Sequence, residues 1–183
     1  MKSRALLIVA LKQELPTHGL TDWTIVYTGV GKVNAAIALM TALREAKPDL
    51  LINYGTAGAT KNSLTHVVEV GQSVQSDMDA RPLGIALGVT PFETGTECFR
   101  LSDSPFICGT ADRFTTFPPE LSCDLVDMEL YALAKIAARE KIPLKSFKFI
   151  SDHANDSARQ DWNDSLPNAA SAFLQIQDDL RSL

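Results

Sequence analysis

Short apolar runs alternate along this chain with longer segments of helical period, and that alternation constrains the fold more than any other feature. Arg4 to Leu11 ("RALLIVAL") is continuously apolar after its first residue, as a strand covered on both faces should be. Trp23 to Gly31 is a second such run, closed by Gly29 and Gly31. From Lys32 to Ala46 apolar residues recur at Val33, Ala36, Ile37, Met40 and Leu43, the spacing of a helix with one buried stripe. Pro48 stops that helix, Asp49 to Tyr54 predicts a third buried strand, and Gly55 and Gly58 predict a flexible loop at its end. Thr65 to Asp79 reads as one long or bent strand with Gly71 at the bend. Pro105 to Phe114 predicts a strand and turn, Cys123 to Lys141 a short strand running into a helix, and Leu144 to Asp156 the last strand with a polar end. A final helix is expected from about Asp164 to Leu180. Between Ala80 and Ser104, Pro82, Gly84, Gly88, Pro91 and Gly95 interrupt every period, so loops with short strands, ordered by a partner subunit, are expected there. No repeat, low-complexity tract or linker divides the chain, and one α/β domain over residues 1–183, a mixed twisted sheet flanked by helices, is the expected fold class.

Composition narrows the partners. The 183 residues are 45% hydrophobic and 21% charged, an ordinary globular profile. A net charge of -5, with scattered Lys and Arg, offers no field for nucleic acid or anionic lipid. The apolar run after Met1-Lys2-Ser3-Arg4 is broken at Lys12-Gln13-Glu14, far short of the roughly 20 residues a membrane helix needs, and no small-residue cleavage site follows. Cys98, Cys108 and Cys123 are odd in number and widely spaced, which fits neither a disulfide framework nor a zinc site. The chain reads as cytoplasmic, with reduced thiols.

In open α/β sheets ligands gather beyond the carboxyl ends of the strands. Those ends carry Gln13-Glu14, Gly29-Val30-Gly31-Lys32, Thr56-Ala57-Gly58, Asp112 to Phe114, Met128-Glu129 and Ser151-Asp152. Separated acids, a hydroxyl, glycine loops and an aromatic ring suit acid/base work on a neutral, hydroxylated substrate with a flat ring. Bland readings stand beside these: Glu14 and Glu129 as first-turn helix acids, Asp152 as a cap, Phe114 as core. "GVGK" lacks the glycine spacing and the following Ser or Thr of a phosphate-binding P-loop; Val33 stands there instead.

Taken together, "IVALKQEL", "GVGKVNAA", "INYGTAGA", "VDMELYALA" and "FISDHAND", in this order and each at a strand end, resemble the purine nucleoside phosphorylase and nucleosidase superfamily. Within it the chain is most similar to the methylthioadenosine/S-adenosylhomocysteine nucleosidases. The resemblance implies a three-layer sandwich and a metal-free, cofactor-free homodimer acting on a purine nucleoside, with a neighbouring chain completing the pocket for the substrate's 5′ end. It also implies roles. Glu129 matches the glutamate that accepts hydrogen bonds from the ribose diol, with Met128 packed on the sugar. Asp152 matches the acid that protonates or hydrogen-bonds purine N7, with Ser151 beside it. Glu14 matches the base that deprotonates the attacking water, with Thr56 near the anomeric carbon, and Phe114 matches the ring that stacks on the purine.

Several features depart from that pattern. Lys148 stands where the family has an arginine that helps fix the water and its base, His153 follows the acid, and Asp77 to Glu93 replaces a longer segment near the 5′ pocket. Water is favoured over phosphate as the nucleophile, because the first turn carries Glu14 and neither glycine nor arginine, and a carboxylate repels phosphate. A phosphorylase using Arg81 or Lys148, and an inactive nucleoside-binding protein, remain as alternatives. Asp77, Asp79 and Arg81 are either a specificity element or a structured turn.

Overall fold

The structure is a computed structural model and describes residues 4–18, 20–95 and 97–183. In chain order its elements are β1 (Ala5–Val9), β2 (Thr24–Tyr27), α1 (Lys32–Glu45), β3 (Leu50–Ala59), β4 (Val67–Glu69), β5 (Gln72–Gln75), a 3-10 turn (Arg81–Leu83), β6 (Phe99–Arg100), β7 (Ile107–Thr110), β8 (Leu125–Asp127), α2 (Leu130–Glu140), β9 (Leu144–Asp152) and α3 (Ala158–Arg181).

One nine-stranded sheet joins every strand, in the order β2-β1-β3-β8-β7-β5-β6, with β9 on β3 and β4 on β9. Pairing is mostly parallel, which requires crossover helices and therefore cover on both faces. The cover is segregated. Leu6, Ile8 and Leu51 pack on one face with Ala35 and Leu39 of α1 and Leu130, Leu133 and Ala137 of α2. Leu7, Val9, Ile52 and Tyr54, the alternate residues of the same strands, pack on the other with Phe173 and Leu180 of α3. The result is the expected three layers.

The main difference from the sequence reading is β3. Gly55 and Gly58 do not open a loop; the strand continues to Ala59, because β9 pairs with it in parallel from Leu51 to Gly58 while β8 takes the far end of its other edge at Gly58 and Ala59. The glycines permit close approach there. A Cβ on Gly58 would lie 2.6 Å from Asp152 Oδ1. Thr65 to Asp79 divides into β4 and β5, which pair with different neighbours, and at Gly71 between them a Cβ would overlap the Ser104 carbonyl at 1.7 Å. Helix α3 begins at Ala158 rather than near Asp164 and carries Pro167 in its interior instead of in its first turn. Ala80 to Ser104 holds only the 3-10 turn and β6 among its described residues.

Candidate active site

The carboxyl ends of β1, β3, β8 and β9 converge on a cavity of about 530 Å³. Glu14, Thr56, Met128, Glu129, Ser151 and Asp152 all line it, together with Phe114 from the turn after β7. It is closed on one side by the first turns of α3, through Arg159, Trp162 and Asn163.

Glu14 is 4% exposed and is held by three donors. Oε1 accepts the Thr56 N–H at 2.8 Å and the Thr56 hydroxyl at 2.6 Å, and Oε2 accepts the Leu11 N–H at 3.0 Å. Trp162 fixes the direction of the hydroxyl: its Nε1–H donates to Thr56 Oγ1 at 2.9 Å, so the threonine hydrogen turns to the carboxylate. An ionised carboxylate offers about four lone-pair positions, and the three donors leave one on Oε2 for a water.

Glu129 stands immediately before α2 but does not cap it. That work falls to Asp127, whose Oδ2 accepts the Leu130 N–H at 2.9 Å. Glu129 is free to turn across the cavity, where Oε1 accepts the Gly31 N–H at 2.8 Å; Gly31 presents it from φ 93°, a conformation glycine adopts without strain. Burial, followed by the neighbouring Asp127 charge, pushes the Glu129 carboxyl up to about 7, against the opposing pull of Lys148 and the Gly31 N–H.

Asp152, at the end of β9, is held through both oxygens: Oδ1 accepts the Ala154 N–H at 2.9 Å and Oδ2 the Ser151 hydroxyl at 2.8 Å. Beside it, His153 keeps Nδ1 buried with no hydrogen-bond partner among the described residues, so this atom does not cap the loop. Phe114 is 47% exposed and meets Trp162 edge to face at 6.4 Å between centroids, an open ring wall rather than core.

Lys148 is the expected site residue that the structure separates from the rest. It does not line the cavity; its ammonium is buried behind it and pairs with Asp127 Oδ2 at 2.8 Å. Asp127 also accepts the Thr110 hydroxyl at 2.6 Å. Burial works to raise the Asp127 carboxyl, but the Lys148 charge and these hydrogen bonds outweigh it and hold the group below its ordinary value. Arg81 is likewise outside the cavity, paired with Asp79 and Glu120. Asp77 bonds Lys32 Nζ and the Asp112 N–H, so Asp77 to Arg81 is a structured turn that braces the start of α1.

Sequence reasoning gives no role to Asp127 or Arg113 and does not reach Arg159, Trp162 or Asn163. For the last three one signal exists: Arg159, Trp162 and Asn163 share a helix face by their three- and four-residue spacing, visible once α3 is started at Ala158.

A three-layer α/β sandwich carries carboxylates from three strand ends, those of β1, β8 and β9, around one cavity, and the family model of the phosphorylase superfamily matches residues 14–95. Over 88% of this chain, and 82% of the relative, it is 32% identical to the 5′-methylthioadenosine/S-adenosylhomocysteine nucleosidase of Staphylococcus saprophyticus. The chain belongs to this nucleosidase family. Its fold is shared with the nucleosidase of Colwellia psychrerythraea solved with adenine (TM-score 0.86, 21% identity, 100% of this chain and 96% of that one). It is shared equally with futalosine hydrolase of Helicobacter pylori (TM-score 0.84, 18% identity, 98% of each chain), so the fold alone does not choose the substrate.

Proposed function

We propose that this protein is a purine nucleosidase that hydrolyses the N-glycosidic bond of a nucleoside such as 5′-methylthioadenosine or S-adenosylhomocysteine, the substrates named for its relatives. The observation that carries the reading is Glu14, a buried carboxylate fixed by three donors with one acceptor position left toward the cavity that Asp152 also lines. In this mechanism the ribose diol bonds Glu129, the sugar packs on Met128 and the purine lies against Phe114. Asp152, oriented by Ser151, hydrogen-bonds or protonates N7 as the C1′–N9 bond lengthens, so the base leaves neutral. A water on Glu14 attacks C1′ of the oxocarbenium-like sugar and gives its proton to that carboxylate. Thr56 carries the donor that holds Glu14 in place.

Hydrolysis is favoured over phosphorolysis because Glu14 would repel an attacking phosphate, and because Arg81 and Lys148 are both paired with carboxylates and neither lines the cavity. A homodimer is supported by large apolar side chains left exposed, Val33 and Ile37 on α1, Leu83 in the 3-10 turn and Phe92 at 95% exposure. Three free cysteines fit a cytoplasmic setting, and among the described residues no helix is long and apolar enough to cross a membrane. The test is free-base release from adenosine, inosine, methylthioadenosine and adenosylhomocysteine in phosphate-free buffer and again with phosphate. Release without phosphate is expected; release only with it would move the chain to the phosphorylase branch, and tight binding without release would make it a binding protein.

A further inference from the structure

Helix α1 does not cap itself. Gly31, its N-cap, has no side chain to offer, and no acid stands in the first turn. The caps come instead from the ends of two strands. Glu129, after β8, accepts the Gly31 N–H at 2.8 Å, and Asp112, after β7, accepts the next one, the Lys32 N–H, also at 2.8 Å. Glycine is required at the junction: it holds φ 93°, and a Cβ there would lie 3.1 Å from Asp112 Oδ1. Lys32 is the unexpected residue. As the first residue of α1 it places a cation at the positive end of the helix dipole, where an acid is favoured. Two acids offset that cost: the Lys32 side chain is 15% exposed, and its ammonium pairs with Asp77 Oδ1 at 2.5 Å and Asp112 Oδ2 at 3.6 Å. Asp77 closes the ring by accepting the Asp112 N–H on Oδ2 at 2.8 Å. Parallel pairing of β5 with β7, with Gln75 opposite Thr110, brings the two acids out of the sheet side by side.

We propose that Lys32, Asp77 and Asp112 are positioning residues of the sugar site, a charged ring that fixes the N-terminus of α1 so that the Gly31 N–H holds Glu129 toward the ribose diol. The proposal rests on the nucleosidase reading, because that reading puts the diol on Glu129. None of the three residues lines the cavity, so they act on the site through the loop they hold. That loop forms part of the cavity wall at Val30, and Asn34 ties it back to α1 by donating to the Val30 carbonyl at 2.7 Å. Glu129 takes no part in capping its own helix, since Asp127 accepts the Leu130 N–H. The Gly31 N–H therefore fixes Glu129 Oε1 across the cavity. Without that bond the carboxylate has to be ordered by the nucleoside itself, and the ordering offsets part of what the diol's hydrogen bonds contribute.

Adenosine and 2′,3′-dideoxyadenosine test it, because they differ only in the diol. Calorimetry on the Glu14→Gln chain, where turnover is slowed, gives the ratio of the two affinities, which is independent of how much of the protein is folded. The ratio is then measured with Lys32→Met, Asp112→Ala or Lys32→Arg added. The expected preference for adenosine is about tenfold, as for hydrogen bonds to a charged acceptor. It should fall to about twofold with Lys32→Met or Asp112→Ala and return with Lys32→Arg, which keeps a cation beside Asp77. A preference that stays near tenfold in either of the first two variants overturns the proposal. Equal loss of affinity for both nucleosides also overturns it, by giving the ring a general structural role. A second readout needs no nucleoside: the Gly31 amide proton, followed by NMR, should shift as the Glu129 carboxyl titrates, and this shift should vanish in Lys32→Met and Asp112→Ala. If it survives there, the proposal is overturned whatever the affinities. If the parent chain shows no diol preference while the shift is present and is lost in the variants, the ring does position Glu129 and the nucleosidase reading falls.

Discussion

Glu129→Gln should stabilise the protein above neutral pH while disabling its sugar site. The carboxyl is raised from an ordinary 4.5 to about 7, burial being the largest cause and the Asp127 charge the next. A carboxyl whose folded value lies above its unfolded value costs nothing below about 4.5, where both states hold the proton. The cost grows as pH rises, because the unfolded chain gives up the proton first, and it is complete once pH passes 7. At about 1.4 kcal/mol per pH unit, the full penalty is roughly 3 kcal/mol. At 8% exposure the group is too buried for solvent to screen most of it. Glutamine keeps an oxygen for the Gly31 N–H and never ionises, so the variant lacks the penalty. Urea unfolding at pH 5, 6, 7 and 8 should show the variant's stability, relative to wild type, climbing by about 2–3 kcal/mol across that range. Any constant cost of burying the amide cancels in the slope. A difference independent of pH would refute the reasoning and mean that Glu129 is already ionised at little expense. In the same preparation base release should fall, mainly through KM, because a neutral amide accepts the diol more weakly.

Glu14→Gln should lower kcat by about 10²- to 10⁴-fold, the usual worth of a general base, while calorimetry shows nucleoside binding retained; equal loss of binding would make Glu14 a structural residue. Gly58→Ala drives a methyl to 2.6 Å from Asp152 Oδ1 and should cut kcat with only a modest loss of melting temperature; unaltered turnover would show that Asp152 is not held where the mechanism needs it. Lys148→Met leaves Asp127 buried without its counter-charge and should cost about 3–5 kcal/mol in denaturant unfolding, with part of the loss recovered by adding Asp127→Asn. A cost below about 1 kcal/mol would mean that the pair is solvated.

The strand order of side-chain types is written in the sequence because it follows from local pattern. Runs such as Ala5–Val9 and Ile107–Thr110 can be satisfied only inside a covered sheet, and the polar residues after such runs must emerge at its carboxyl edge. That logic reaches Glu14, Thr56, Phe114, Glu129 and Asp152 without any knowledge of contacts, and all of them line one cavity. It fails where pairing partners decide. Whether Gly55 to Gly58 is loop or strand depends on β8 and β9 arriving from more than sixty residues downstream, and no local propensity of glycine reports that. Lys148 finds Asp127 across β3, which separates their strands, so a residue placed by motif beside the water is placed by topology beneath Glu129. The start of α3 is hidden because Asn155 to Asp164 is polar and helix stability there comes from packing at Ala158, Ala169 and Phe173 rather than from propensity. Local periodicity determined which residues could do chemistry; long-range pairing and burial decided how their charges are partnered, and with that the raised carboxyl of Glu129.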